Sequence, residues 1–201
     1  ESVTRHKMRV SLDGEPAFVF TDKEIREWNL AEETVLDDSE EQALLQYVSR
    51  EAARTAMNLL VKRDYAQAEL YRKLRERGYS EYFARQGIAY VSSYHYLDDE
   101  RYVTRYLSTY QGRKSRRQMQ FELERKGIPR EMIQRRQEAL DDEEGCVDET
   151  NMIRQLLEKR CKHPKEADEK EKRRHYGYLM RKGFSSSEIQ SVFREYFSQR
   201  E

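Results

Sequence analysis

Lys172–Phe197 reads KRRHYGYLMRKGFSSSEIQSVFREYF, and its grammar is helix, stop, helix. Leu179 is the last firmly apolar position of a helical run. Arg181 and Lys182 follow in its last turn, where cations complement the negative end of the helix dipole. Gly183 can adopt the left-handed conformation that ends a helix at low cost, which lets Phe184 fold back on the turn. Ser185 and Glu188 have capping-box spacing, so each side chain can satisfy a free backbone N–H of the next helix. Ile189, Val192, Phe193, Tyr196 and Phe197 then recur at helical spacing.

The same grammar occurs twice more. Leu74-Arg75-Glu76-Arg77-Gly78-Tyr79-Ser80 precedes an apolar series at Ala84, Ile88 and Val91, and Leu123-Glu124-Arg125-Lys126-Gly127-Ile128-Pro129 precedes Ile133 and Leu140. The three glycines stand 49 and 56 residues apart. Leu-x-x-x-Gly is a common helix ending, and one copy would mean little. Three copies, each with a basic residue before the glycine, an apolar one after it and Ser or Pro next, point to a repeat of small helical modules.

Composition agrees with that architecture. Of 201 residues, 38% are charged and 37% apolar, with a mean hydropathy of −1.08. That suits thin helical layers better than one thick globule. Net charge is zero, whereas proteins that live by non-specific DNA affinity are markedly basic. Nucleic-acid contact must therefore come from a local patch, and a locally polarised surface suits protein docking equally well. There is no secretory signal, no lipidation signature and no apolar run long enough to span a bilayer, so the expected compartment is the cytoplasm. Cys146 and Cys161 lack metal-site spacing and read as free thiols.

Taken in order, residues 4–20 form a β-hairpin around Asp13-Gly14, which must lean on a helix or gain a third strand because two strands are marginal in water. Thr21 or Asp22 caps a short helix through Trp28. Ser39 and Gln42 read as a capping box opening a helix to about Arg63, with Leu44, Val48, Ala52, Ala56, Leu59 and Leu60 on one face. Helices over about 66–77 and 80–94 complete a first trio. The second trio starts at Leu97-Asp98-Asp99-Glu100, carries Tyr102, Val103, Tyr106, Leu107 and Tyr110 as its inward stripe, and continues through Ser115–Lys126 and Pro129–Leu140. Asp141–Glu144 reads as an acidic linker ended by Gly145. Asp148 caps the next helix, Lys165–Lys172 is a charged loop or helix start, and the opening stretch completes the third trio. The fold class is mainly α: three tandem three-helix repeats in an elongated curved array, with a small N-terminal β-hairpin and short helix. The divisions are 1–38, 39–95, 96–145 and 146–201.

No catalytic signature is present, and no cofactor is expected. Asp98-Asp99 has the look of paired carboxylates, which a helix-start role explains. Cys161-x-His163 is the nearest approach to a metal pair, and two ligands do not make a site without two more nearby, so no metal is expected either. The basic clusters are the more informative candidates for a partner or DNA: Lys62, Arg63, Arg72, Lys73, Arg77, Arg113, Lys114, Arg116, Arg117, Arg125, Lys126 and Lys182. Arg77, Lys126 and Lys182 hold matching places, one before each turn glycine. Dipole compensation and pairing with glutamates account for about half of the set. Arg113–Arg117 is explained less well, since it lacks acids close by in sequence. Among fourteen tyrosines, Tyr82, Tyr90, Tyr94 and Tyr96 break helical regularity and read as partly exposed, suited to protein contacts or base stacking.

Four pieces in order carry a family resemblance: Glu69-Leu70-x-x-Lys73-Leu74-x-x-x-Gly78-Tyr79, Tyr96-Leu97-Asp98-Asp99-x-Arg101-Tyr102-Val103, Glu122-Leu123-x-x-Lys126-Gly127-Ile128, and Tyr178-Leu179-x-Arg181-Lys182-Gly183-Phe184-Ser185. Together they resemble the RecX regulatory proteins, over roughly residues 4–197. The hairpin Leu12-Asp13-Gly14-Glu15-x-Ala17-Phe18 looks like the extension of longer members. The resemblance implies a crescent of three-helix modules that lies along the groove of the RecA–DNA filament and blocks filament growth, strand exchange and co-protease activity, in the setting of recombinational DNA repair and the SOS response. It also implies weak single-stranded DNA contact, no membrane or small-molecule partner, and action as a monomer. The departures are Pro129 where the other modules have Ser, and the acidic stretch after module two. The family pattern fixes no contact residues.

Overall fold

The computed structural model describes residues 1–144, 148–164 and 166–198 and divides into two compact units, Glu1–Asp99 and Glu100–Glu201. The expected Gly145 and Cys146, and Lys165 at the start of the charged stretch, lie outside the described residues.

In the first unit, β1 (Ser2–Thr4), β2 (Lys7–Leu12) and β3 (Glu15–Thr21) make an antiparallel sheet in that order. Asp13 and Gly14 both take positive φ, 48° and 82°, as a tight hairpin turn requires. The hairpin gains its third strand and also a helical support. Phe18 and Phe20 are buried with Leu44, Val48, Ala52 and Phe83, each ring worth roughly 1.5–3 kcal/mol in removal from water. α1 (Asp22–Glu27) is closed by a Thr21–Glu24 capping box.

α2 (Asp38–Leu60) opens two residues before the sequence cue. Its cap is Asp37, not Ser39. The Asp37 carboxylate accepts from the Ser39 and Glu40 amides, both at 2.8 Å, while Glu40 reaches back to the Asp37 amide. A charged acceptor on two amides at the positive helix end outcompetes a hydroxyl. The helix stops at Leu60 rather than Arg63, because Arg63 is drawn forward to Glu69 at 2.8 Å and over the Tyr65 ring at 3.7 Å. α3 (Gln67–Glu76) and α4 (Glu81–Ser93) follow. Leu70, Leu74, Ala84, Ile88 and Val91 close the core with Ala56 and Leu59.

The second unit holds α5 (Asp99–Tyr110, whose first residue belongs to the first unit), α6 (Arg116–Lys126), α7 (Arg130–Glu144), α8 (Glu149–Arg160), α9 (Glu169–Arg181) and α10 (Ser186–Ser198). Val103, Leu107, Met119, Leu123, Ile128 and Ile133 are buried from the earlier helices. Met152, Ile153, Leu157, Leu179, Phe184, Ile189 and Val192 form one cluster in the later ones. α7 runs on through Asp141–Glu144, which is helix and not linker. Acids oppose the dipole at a helix C-terminus, but Arg116 pairs with Asp141 and offsets that cost. Among the described residues no helix is long and apolar enough to cross a membrane.

The three glycine turns share one hydrogen-bond pattern. Tyr79, Ile128 and Phe184 donate their amides to the carbonyls of Leu74, Leu123 and Leu179 at 3.3, 3.2 and 3.3 Å. Gly78, Gly127 and Gly183 donate to Arg75, Glu124 and Met180 at 2.9, 2.9 and 3.0 Å, with φ of 94°, 94° and 88°. This is the paired arrangement of a left-handed helix end, built three times to within 0.1 Å. Gly78 needs more than its φ: a Cβ there would lie 2.3 Å from Val19 Cγ2. The turn is also tied to the sheet through the Ser80 amide and the Ala17 carbonyl at 2.6 Å.

Candidate functional site

The basic residues singled out from the sequence fall into two groups. Many are committed to local structure. Arg63 holds Glu69, Lys73 pairs with Glu76 at 2.6 Å, and the Arg77 guanidinium donates to the Lys73 carbonyl at 3.3 Å. Arg72 donates to the Ala68 carbonyl at 3.3 Å. Arg125 lies over the Phe121 ring, Lys126 over Tyr102 and Lys182 over Tyr178, at 5.9, 5.7 and 5.9 Å.

Arg113–Arg117 divides in the same way, and here the sequence reading needs correction. Acids do lie close to it, brought from later helices. Lys114 Nζ is 2.6 Å from Glu122 Oε2, is half-buried, and sits 3.8 Å above the Tyr110 ring. Arg116 pairs with Asp141. Arg113 and Arg117, with Lys62 in the first unit, stay exposed. The Arg113–Arg117 run thus contracts from four candidate cations to two. α9 adds exposed Arg173 and Arg174, whose signal was the Lys172-Arg173-Arg174 run itself.

Lys114 belongs to a polar cluster. Tyr106 donates its hydroxyl to Glu122, Lys114 donates to the same oxygen and to the Tyr106 hydroxyl, and Gln118 donates to the other oxygen at 3.0 Å. Burial alone would raise the Glu122 carboxyl, but these three donors outweigh it and hold the group below its ordinary value. Burial, then the hydrogen bond to Glu122, raises Tyr106. Tyr102, Tyr106 and Tyr110 are accordingly half-buried and not core: they form a ladder with ring centroids 6.5 and 4.6 Å apart, beside buried Val103 and Leu107. Their i,i+4 spacing continues to Lys114, which was the sequence signal for the cluster.

Asp98-Asp99 takes a structural part the sequence did not reveal. The Asp99 carboxylate accepts from the Gln67 amide at 2.8 Å, capping α3, whose own N-cap residue Ala66 offers no side-chain acceptor. Glu149 does the same for α6, accepting from the Arg116 amide at 2.6 Å. Each is the first residue of a trio's first helix and finishes the second helix of the preceding trio. Burial is the main influence on both carboxyls and lifts them above the ordinary range, with the amide donor pulling the other way.

Tyr82, Tyr90, Tyr94 and Tyr96 are exposed, and the Tyr94 and Tyr96 rings stack at 6.0 Å. A single group of His, Cys and acidic side chains among the described residues has metal-ligand proximity: Cys161, Glu171 and His175.

Two family models match the helices just described: the second three-helix domain of RecX over residues 98–135, and the third three-helix domain of RecX over 148–193. The regulatory protein RecX of Trichlorobacter lovleyi is 34% identical over 142 residues, covering 69% of this chain and 90% of its own length. The chain belongs to the RecX family. Regulatory protein RecX of Pectobacterium atrosepticum is 32% identical over 158 residues, covering 70% of this chain and 94% of the relative. A RecX crystal structure matches the fold with a TM-score of 0.62 at 19% identity, over 96% of this chain and 95% of the other. A RecX regulatory role therefore stands for this chain, on a mostly helical fold with a small N-terminal sheet.

Proposed function

We propose that this chain binds the RecA–DNA filament in the cytoplasm and chiefly inhibits recombinase, ATP hydrolysis and co-protease activity. Family membership carries the reading. The threefold glycine turn supports it physically, since a chain of like modules can offer several weak contacts to a repeating partner, and such contacts gain avidity without any single strong one. Arg113 and Arg117 are the proposed contact cations of the second module, because their neighbours Lys114 and Arg116 are held in internal ion pairs.

The test adds the full chain to RecA on single-stranded DNA and follows ATP hydrolysis and strand exchange. Both rates fall at stoichiometric or lower amounts; unchanged rates refute inhibition. Arg113→Glu with Arg117→Glu keeps the helical circular dichroism and weakens inhibition. Full inhibition by that variant places the contact elsewhere.

A second reading, direct binding of single-stranded DNA, draws on exposed Tyr90, Tyr94 and Tyr96 beside a groove of about 370 Å³ that Arg50 and Arg54 help line. Rings for bases and cations for phosphates are the parts such binding uses. It predicts affinity that falls steeply with salt and is lost in Tyr94→Ala with Tyr96→Ala. Undetectable or salt-insensitive binding removes it.

A further inference from the structure

Cys161 ends α8, and Glu171 and His175 stand one turn apart on α9. The chain between them folds so that one ligand atom from each lies within 4.8 Å of the others. Cys161 is 3% exposed and His175 is 4% exposed, and neither ring nitrogen of His175 has a hydrogen-bond partner. His175 Nε2 lies 3.6 Å from Glu171 Oε1, too long for a hydrogen bond. A buried imidazole with both nitrogens unsatisfied is costly and calls for a ligand.

We propose that Cys161, Glu171 and His175 form a binding site for a divalent transition metal of the zinc class, with solvent completing the coordination. Bonds of about 2.0–2.3 Å at tetrahedral angles hold ligand atoms roughly 3.3–3.7 Å apart. The imidazole–carboxylate separation already has that value, and the thiol sulfur lies within 4.8 Å of both. Thiolate with imidazole favours zinc, cobalt or iron over magnesium or calcium. Glu171 is half-buried, which gives the ion a route in, while Cys161 and His175 are shielded. The Cys161 carbonyl is itself held by the Tyr196 hydroxyl at 2.9 Å, which fixes the end of α8 against α10. A cysteine binds metal as the thiolate, so the ion must displace the thiol proton. Binding replaces that proton: the S–H bond breaks, the sulfur lone pair binds the ion, and one proton passes to solvent. The metal would clasp α8 to α9 within the third trio.

The experiment titrates the full-length chain with cobalt(II) chloride under reducing conditions, then with zinc chloride. One equivalent of cobalt produces a sulfur-to-metal charge-transfer band and visible tetrahedral bands, which zinc abolishes. One proton is released per ion. Cys146→Ser keeps the band and Cys161→Ser loses it. His175→Gln weakens binding by more than the roughly 10- to 100-fold that loss of an outer-shell partner costs. Glu171→Gln, a change of nearly equal shape at a half-buried position, weakens binding and keeps the circular dichroism spectrum. Zinc raises the melting temperature of the native chain and not of Cys161→Ser. Absence of the band from the native chain overturns the proposal, as does binding that survives Cys161→Ser and Glu171→Gln or that follows Cys146. RecA inhibition is not part of the readout, so failure of the metal site and failure of the regulatory reading are separate results.

Discussion

Gly78 and Gly183 end their helices alike and rest on different neighbours. Behind Gly78 lies Val19 of β3, an apolar and stiff side chain; behind Gly183 lies Ser115, a Cβ placed there falling 2.6 Å from its hydroxyl oxygen and 3.0 Å from the Gln118 amide. Gly112 also has positive φ, 69°, and nothing within 4 Å of a would-be Cβ. The backbone demand is common to all three, and what the absent side chain leaves room for is not. The first and third modules therefore share a turn and rest it on different surfaces.

Alanine at these glycines breaks or sharpens the comparison. Gly78→Ala should cost about 3 kcal/mol, from left-handed strain plus overpacking against Val19, and Gly112→Ala only about 1 kcal/mol. Gly78→Ala with Val19→Ala should recover much of the difference. Equal urea midpoints for the two single variants would mean that φ alone matters. Ser115→Ala comes next, at about 2 kcal/mol. The buried hydroxyl accepts from the Gln118 amide at 3.2 Å and donates to the Lys182 carbonyl at 2.7 Å, so its loss bares a helix end and a carbonyl together. Urea denaturation of Ser115→Ala and Ser115→Thr checks this. Asp99→Ala and Glu149→Ala should each cost about 1 kcal/mol, the usual worth of an N-cap. Their similarity would establish one device used at two junctions, and a null effect at either would end it.

The smallest effect concerns pH. Glu122 is held below its ordinary value of 4.5. The unfolded chain thus binds its proton first as pH falls. The stability it contributes is complete above 4.5 and drains away as pH drops through the depressed native value. The stability gap between the native chain and Glu122→Gln should be flat above that pH and shrink below it. A gap that widens in acid would reverse the assignment.

Much of this fold was legible because its signals are local. A Leu-x-x-x-Gly turn, a Ser185–Glu188 box and an Asp13-Gly14 hairpin turn involve residues within five of each other, and all are found as read. What escaped was non-local. Nothing near Arg116 announces Asp141, nothing near Gln67 announces Asp99, and Cys161-x-His163 does not point to Glu171 and His175. The cap of α2 was misplaced by two residues because Ser39 and Asp37 both head acceptable boxes, and charge decides between them. Tyr102, Tyr106 and Tyr110 have core periodicity, yet they lie at the boundary, where the Tyr106 hydroxyl reaches Glu122 and Lys114 stands over the Tyr110 ring.

The borrowed carboxylates set where this chain can be divided. A fragment ending at residue 95 holds every helix of its trio and still leaves the first amide of α3 bare; one ending a few residues beyond Asp99 does not. The same dependence links the second trio to the third: the first amide of α6 is covered by the carboxylate that opens α8.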